Sequence, residues 1–414
     1  MRSFRAKLGA IAVGAFALRA LAALAVAPQS LTHRGDPRFF HLAANLLADG
    51  HGYIAPLPFL QHGSVIASSE HPPLWSGVLA VFSGLGARSY AAHELVGCAV
   101  GAATVVCAGL LGRRVGGDRA GLLAAVLTAL YPVYVAMDGS LMSEPPFALC
   151  IALILLAALR AVEAPSLRRS ALLGLSIGVT VLVRGEAIAL LVLVLVPVLV
   201  KIPARRLAHA GVACLVAVAV FGPWVARNIA TFRHPMLVSS EVGPVIGGAN
   251  CDFTYGGYDL GYWRSDCLPI VHEPNAQVRS QRFQSAGLHY MRGHLARMPL
   301  VAGVRVLRTF GLWQPRRHVY FAEGRRLPGR AVAVGATWVL LALAVGGAWL
   351  MRSRRATLAL LLAPAALAVL TSLVAFGYPR FRYGADVAFL VLAAYAVVRV
   401  SALRSGRVAA AVRA

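Results

Sequence analysis

Only sixteen carboxylates occur in the 414 residues. Four of them, Asp36, Glu70, Asp138 and Glu144, lie in short polar stretches between apolar runs. A carboxylate placed there can take a proton from a hydroxyl nucleophile. Four arginines share the setting: Arg184 in LVRGEAI, Arg227 in PWVARN, and Arg380 and Arg382 in GYPRFRYG. Arginine's planar fork donates two parallel hydrogen bonds and so suits a phosphate. Four such arginines gathered on one face look like a site for an anion at the membrane surface. Each residue also has a plainer reading. Asp36 before Pro37 and Glu144 before Pro145 match helix caps followed by proline at the first helical position. The arginines can snorkel to lipid headgroups or pair with acids such as Glu186. The residues by themselves leave both readings open.

The elements that must position these groups are apolar spans. Hydrophobic residues make up 58% of the chain, with a mean hydropathy of +0.70. Apolar runs of bilayer-crossing length recur from end to end, which predicts an all-α polytopic membrane protein. The net charge of +24 is spread between those runs rather than gathered in one patch, which argues against nucleic acid as a partner. About ten transmembrane helices fit at roughly 20 residues each, near 8–27, 89–112, 119–137, 145–161, 170–184, 186–201, 207–226, 331–350, 356–376 and 384–400. With the N-terminus inside, every inside connection is basic, as the positive-inside rule asks. These connections carry Arg113, Arg114 and Arg119; Arg168 and Arg169; Lys201, Arg205 and Arg206; Arg352, Arg354 and Arg355; then Arg404, Arg407 and Arg413 in the tail. The fifth and sixth runs are short and must tilt or dip less deeply. The first run follows Arg2, Arg5 and Lys7 as a signal peptide would. It carries Arg19 and ends without a small-x-small site, so it reads as a retained span. An intramembrane arginine faces the bundle interior, and Arg19, in the outer half, is available to join the other four.

Two segments are expected outside. Residues 28–88 contain DPRFFHLAANLLADG and HPPLWSGVLAVFSGLG, helices too short to cross, which should lie along the membrane surface. Residues 227–330 form the largest polar piece, a small extracytoplasmic segment over the membrane bundle. The organisation is thus 1–226, an N-terminal membrane module; 227–330, the outside segment; and 331–414, the C-terminal spans and basic tail. Cys98, Cys107, Cys150 and Cys214 lie inside apolar runs and read as small core residues. Cys251 and Cys267 flank a Gly- and Tyr-rich stretch outside, where an oxidising compartment permits a disulfide. Such a bond would close a loop of about 15 residues, a stabilisation of roughly 3 kcal/mol. The sequence leaves bonded and free forms open. No HExxH, zinc-spaced Cys pair, Walker loop or dinucleotide fingerprint is present. No cofactor is therefore expected to be required, with a divalent metal left open for want of a ligand signature.

Six stretches in order, GDPRFFHLAANLLADGHGY, EHPPL, SLMSEPPF, GLSIGVTVLVRGEAI, PWVARNIATFRHPMLVSSEVGPVIGGAN and YPRFRYGADVAFLVLAAY, give the chain a resemblance that covers most of its length. It resembles the bacterial membrane glycosyltransferases of the GT-C superfamily, in the group related to protein O-mannosyltransferases and to the lipid A aminoarabinose transferase. The resemblance implies a GT-C-type bundle in the bacterial cytoplasmic membrane, with its active site facing outside. It implies a polyprenyl-phosphate sugar donor and a lipid, glycan or protein acceptor. Asp36 falls at the group's first-loop catalytic aspartate and Glu144 at a second acid in the next outside loop. The chain departs from the pattern twice. His71 stands where a lysine contacts the donor phosphate, and Pro37 replaces the second acid of an aspartate-glutamate pair.

The expected chemistry is one inverting displacement. Asp36 takes the acceptor's proton and Glu144 orients the acceptor, while Arg382, Arg380, Arg184 and His71 hold the donor phosphate. Glu70, Arg227, Asn228 and Trp263 line the acceptor pocket, with Tyr255 and Tyr258 available to stack on sugars. The rival reading is a polytopic transporter or lipid flippase, which would place ionisable groups near the bilayer midplane and broken helices in matched halves. A third is a structural membrane subunit of the cell envelope. The acids here gather at span ends and the halves do not resemble each other, which favours the transferase.

Overall fold

The computed structural model describes residues 2–26, 35–273, 275–315 and 330–404. The expected end of the first span at 27, first-loop residues 28–34, residues 316–329 of the outside segment, and Arg407 and Arg413 lie outside the described residues. Among the described residues the structure is helical, apart from one isolated bridge between Ile54 and Ala67.

Among the described residues, seven helices are long and apolar enough to cross a membrane: Phe4–Ala25, Tyr90–Leu130, Glu144–Glu163, Arg206–Phe232, Ala331–Leu350, Arg355–Val374 and Pro379–Arg404. The difference from the expected ten has physical causes. Tyr90–Leu130 is a hairpin holding two expected spans, folded at Gly117, whose φ of 82° is open to glycine. Gly112 lets the two arms touch, since a Cβ there would meet the Ala120 carbonyl oxygen at 2.8 Å. The second arm stops at Tyr131, before Pro132, and resumes as the short helix Pro132–Met137. The fifth run forms Leu167–Val181, only 15 residues long. The sixth breaks into Gly185–Ala189, Leu190–Leu193 and Leu195–Lys201, the last of which contains Pro197.

The core is built around Glu144–Glu163 and Tyr383–Arg404, whose apolar residues from Phe147 to Ala161 and from Tyr383 to Ala396 are largely sequestered. The N-terminal helix packs Phe4, Leu8 and Ala15 against Val105, Ala125 and Ala129 of the hairpin. In the first loop, Asp36–Ala48 packs Phe39, Phe40, Ala43 and Ala44 against Trp75 and Leu79 of Leu74–Gly84. The Trp75 indole donates to the Leu141 carbonyl at 3.0 Å, tying this pair to the turn before Glu144. The outside segment carries Val242–Gly248, Asp252–Tyr255, Ala276–Gly293 and Met298–Thr309. Cys251 and Cys267 are disulfide-bonded there.

Candidate active site

Asp36 opens the helix Asp36–Ala48, but Gly35 occupies the capping position with a φ of 64°. Asp36 makes no side-chain capping hydrogen bond, so the expected cap is corrected. Glu144 behaves alike: it is the first residue of its helix, Ser143 takes the cap position, and the Glu144 side chain caps nothing. Both acids sit in a first turn, where the helix dipole favours a carboxylate. Their oxygens are left for other partners.

Those partners are arginines from distant loops. Arg380 Nη2 donates to Asp36 Oδ2 at 2.8 Å and Arg380 Nε to Glu144 Oε1 at 2.6 Å. Arg184 Nη1 donates to the same Glu144 oxygen at 2.5 Å, and its Nε to Glu186 Oε1 at 2.6 Å. The Phe147 and Phe381 rings lie 5.5 and 5.9 Å from the Arg184 guanidinium carbon and fix its plane. Arg380 sits on the turn Pro379–Arg382, which opens the last membrane-spanning helix, Pro379–Arg404. Burial pushes the Asp36 carboxyl up, but Arg380, His71 and Arg184 together hold it down at about 2. Asp36 is thus an ionised, 23%-exposed carboxylate, whereas Glu144 is fully buried.

His71 faces Asp36 from the other side, with Nε2 3.6 Å from Oδ1 and 3.9 Å from Glu70 Oε1. Its ring packs on Phe39 and Phe40, the residues that follow Asp36 on its helix. Glu70 is half-exposed. Burial and then the Asp36 charge push its carboxyl up, against opposing pulls from His71 and Arg279.

Glu241 belongs to this cluster and was not singled out from the sequence. The segment before it docks on the first loop, where the Ser240 amide donates to the Ser69 carbonyl at 2.8 Å. The Ser239 hydroxyl donates to the Glu70 carbonyl and accepts from the Glu241 amide. Burial, with the Glu70 and Asp36 charges added, pushes the Glu241 carboxyl up to about 8. The available signal was the scarcity of acids in this chain, since Glu241 stands soon after a span, as Asp36 does.

Other expected site residues are placed elsewhere. Arg382 turns into the bundle, its Nε donating to Asp386 Oδ1 at 2.7 Å and its Nη1 to the Thr309 carbonyl at 3.2 Å. Arg19 is fully buried in a pair with Asp138, at 2.5 Å, and donates to the carbonyls of Ala15, Thr128 and Ala129. It faces the interior as expected but is not part of the Asp36 cluster. Arg227 fastens the first loop, donating to the Ser68 and Tyr53 carbonyls, and its neighbour Asn228 is buried against the Val238 carbonyl. Trp263 donates to the Pro244 carbonyl and closes over Gly248. Tyr255 is 3% exposed, with its hydroxyl on Asn250, so it is not open for stacking as expected; Tyr258 is exposed.

Two atoms of the cluster are buried without a hydrogen-bond partner, Glu144 Oε2 and His71 Nε2. Buried polar atoms are normally satisfied, so these mark where water or a ligand belongs. Among the described residues no group of three or more His, Cys, Asp or Glu side chains could hold a metal. The arrangement places the partly exposed Asp36 carboxylate beside the guanidinium groups of Arg380 and Arg184.

Residues 70–226, a little over a third of the chain, match the family Dolichyl-phosphate-mannose-protein mannosyltransferase. No curated protein matches the chain in sequence. Among solved structures, the chain is similar to the archaeal oligosaccharyltransferase AglB from Archaeoglobus fulgidus, in complex with an inhibitory peptide and a dolichol-phosphate. That match has 16% identity and a TM-score of 0.55, covering 97% of this chain and 51% of AglB. The apo form of the Archaeoglobus fulgidus oligosaccharyltransferase matches equally, at 16% identity and TM-score 0.55 over 95% of this chain and 50% of that one. ArnT from Cupriavidus metallidurans bound to undecaprenyl phosphate follows at 14% identity and TM-score 0.46, over 94% and 77%. This chain spans about half the length of the oligosaccharyltransferase. The fold is the GT-C fold of membrane glycosyltransferases.

Proposed function

We propose that the chain moves a sugar from a polyprenyl-monophosphate carrier to an acceptor hydroxyl or amine at the outer face of the bacterial cytoplasmic membrane, with inversion at the anomeric carbon. The observation that carries this reading is the guanidinium of Arg380 bridging Asp36 and Glu144, two carboxylates from separate loops. In the proposed step the Asp36 carboxylate takes the acceptor's proton as the acceptor atom bonds to the anomeric carbon. The bond from that carbon to the phosphate oxygen breaks, and polyprenyl phosphate leaves with the electron pair. Arg380 and Arg184 face the developing phosphate charge, where preorganised cations act most strongly. When Arg380 turns to the phosphate it releases Asp36, which makes the carboxylate a better base only once donor is bound.

Of the four residues expected at the donor phosphate, this assignment keeps Arg380 and Arg184 in that role and leaves out Arg382. Arg382 serves as an anchor of the turn through Asp386. Glu144 aligns both phosphate-facing arginines and offers its second oxygen to a substrate donor, and His71 and Glu70 border the space beside Asp36. A dolichol-phosphate in the AglB complex supports the carrier class.

The test is transfer by purified protein in liposomes, using a panel of radiolabelled polyprenyl-phosphate sugars and a cell-envelope extract as acceptor. Label leaves the prenyl lipid with the wild type. Arg380→Ala reduces this by about a hundredfold or more, the scale of losing one transition-state donor. No transfer from any donor by folded protein overturns the reading.

A further inference from the structure

The helix Met298–Thr309 has its polarity inside out. Val301, Val304, Arg305 and Arg308 form its buried face, with both arginines at most 1% exposed. Its outward face carries Leu300, Gly303 and Leu307, followed by Leu312, and these leucines are 50%, 39% and 56% exposed. The arginines hydrogen-bond inward, with Arg305 Nε alone among their nitrogens buried without a partner among the described residues. Arg305 donates to the carbonyls of Ala249 and Leu373 and to Asn250 Oδ1. Arg308 donates to the carbonyls of Leu260 and Tyr258 and to Gln314 Oε1. An extracytoplasmic helix in water would be expected to turn its leucines in and its arginines out.

Its neighbours fix its level. Thr309 hydrogen-bonds Ser372 at 2.7 Å, near the end of the membrane-spanning helix Arg355–Val374. Just beyond the helix, the Gly311 carbonyl accepts from the Trp338 indole at 3.0 Å. Trp338 lies seven residues into the span Ala331–Leu350, about 10 Å along its axis at 1.5 Å per residue. The exposed leucines thus continue the lipid-facing surface that includes Trp338, Leu373 and Val374, which are also exposed.

We infer that Met298–Thr309 is not part of a water-facing cap but is embedded in the leaflet on the Asp36 side, its leucine face covered by acyl chains. The inward face of the same helix braces the arginine turn. Thr309 Oγ1 accepts from the Tyr378 amide at 3.1 Å, and the Thr309 carbonyl accepts from Arg382. A lipid-seated helix therefore sets the height of the turn that carries Arg380. The inference stands on packing and does not depend on the transferase reading.

The experiment places a nitroxide, through cysteine, at Leu300, at Leu307 or at Tyr258 in full-length protein in phosphatidylcholine liposomes. Collision with oxygen, which concentrates in lipid, is compared with collision with a water-soluble nickel chelate. Oxygen relaxes the labels at 300 and 307 at least threefold more than the chelate does, and the order reverses at 258. The inference is overturned if the chelate reaches 300 and 307 as well as it reaches 258. Exclusion of both colliders from 300 and 307 also overturns it, because a protein surface then covers the leucines.

Discussion

Asp36 and Glu241 have similar carboxyl groups and opposite environments. Guanidinium neighbours hold Asp36 at about 2, while burial and neighbouring acids raise Glu241 to about 8. Environments that push paired acids apart divide base from acid roles. Stability follows with definite sign. Glu241 keeps its proton in the folded state, so its contribution is complete below the ordinary glutamate range and is lost as pH rises through about 8. Asp36 contributes above the ordinary aspartate range and loses this only as pH falls through about 2. The melting temperature in detergent should therefore fall between about pH 5 and pH 9, and less steeply in Glu241→Gln. Equal slopes would show that Glu241 is ionised throughout. Asp36, Glu144, Arg184 and Arg380 were legible because charges are scarce at the ends of apolar spans. The parting of Arg380 from Arg382 was not. Two residues apart on one short turn, they reach different partners, and only tertiary packing decides which faces Asp36.

At the scale of elements, hydropathy located the apolar segments and missed how they bend. The Gly117 hairpin reads as two separate spans in sequence, and the short helices after Arg184 read as one. The two first-loop helices were legible from length as too short to cross, but their apolar contact with each other was not. The Arg19–Asp138 pair shows what such packing costs and secures. Asp138 also accepts from the Tyr383 hydroxyl at 2.6 Å, so one carboxylate joins the N-terminal helix to the central one. Removing it leaves a buried guanidinium uncompensated. Asp138→Ala should lower stability by about 3–5 kcal/mol, and Arg19→Met combined with Asp138→Leu should recover most of that. Thermal melting of the purified variants decides this, and additive losses in the double variant would contradict it.

For the molecule as a whole, the cluster lies where four connections converge. The first loop brings Asp36, Glu70 and His71, and the turn before Glu144–Glu163 brings Glu144. The stretch after the fifth run brings Arg184, and the turn between the last two spans brings Arg380. Positive-inside counting places all four on one side of the membrane, which is why the sequence could collect them. Glu241 enters from the outside segment because its backbone pairs with the first loop, a contact that no periodicity announces. Convergence of acids and arginines at span ends also separates this chain from the transporter reading, which needs ionisable groups at the midplane.

Asp36→Asn tests the central claim most directly, because it keeps the side chain's shape and removes its basicity. In liposomes with a saturating radiolabelled polyprenyl-phosphate sugar, the variant should fold and retain donor binding, melting below the wild type because the Asp36–Arg380 pair is lost. Its single-turnover transfer should slow by about 10²- to 10⁴-fold, the usual worth of a positioned base. A folded, donor-bound Asp36→Asn protein that transfers sugar at close to the wild-type rate would contradict the account.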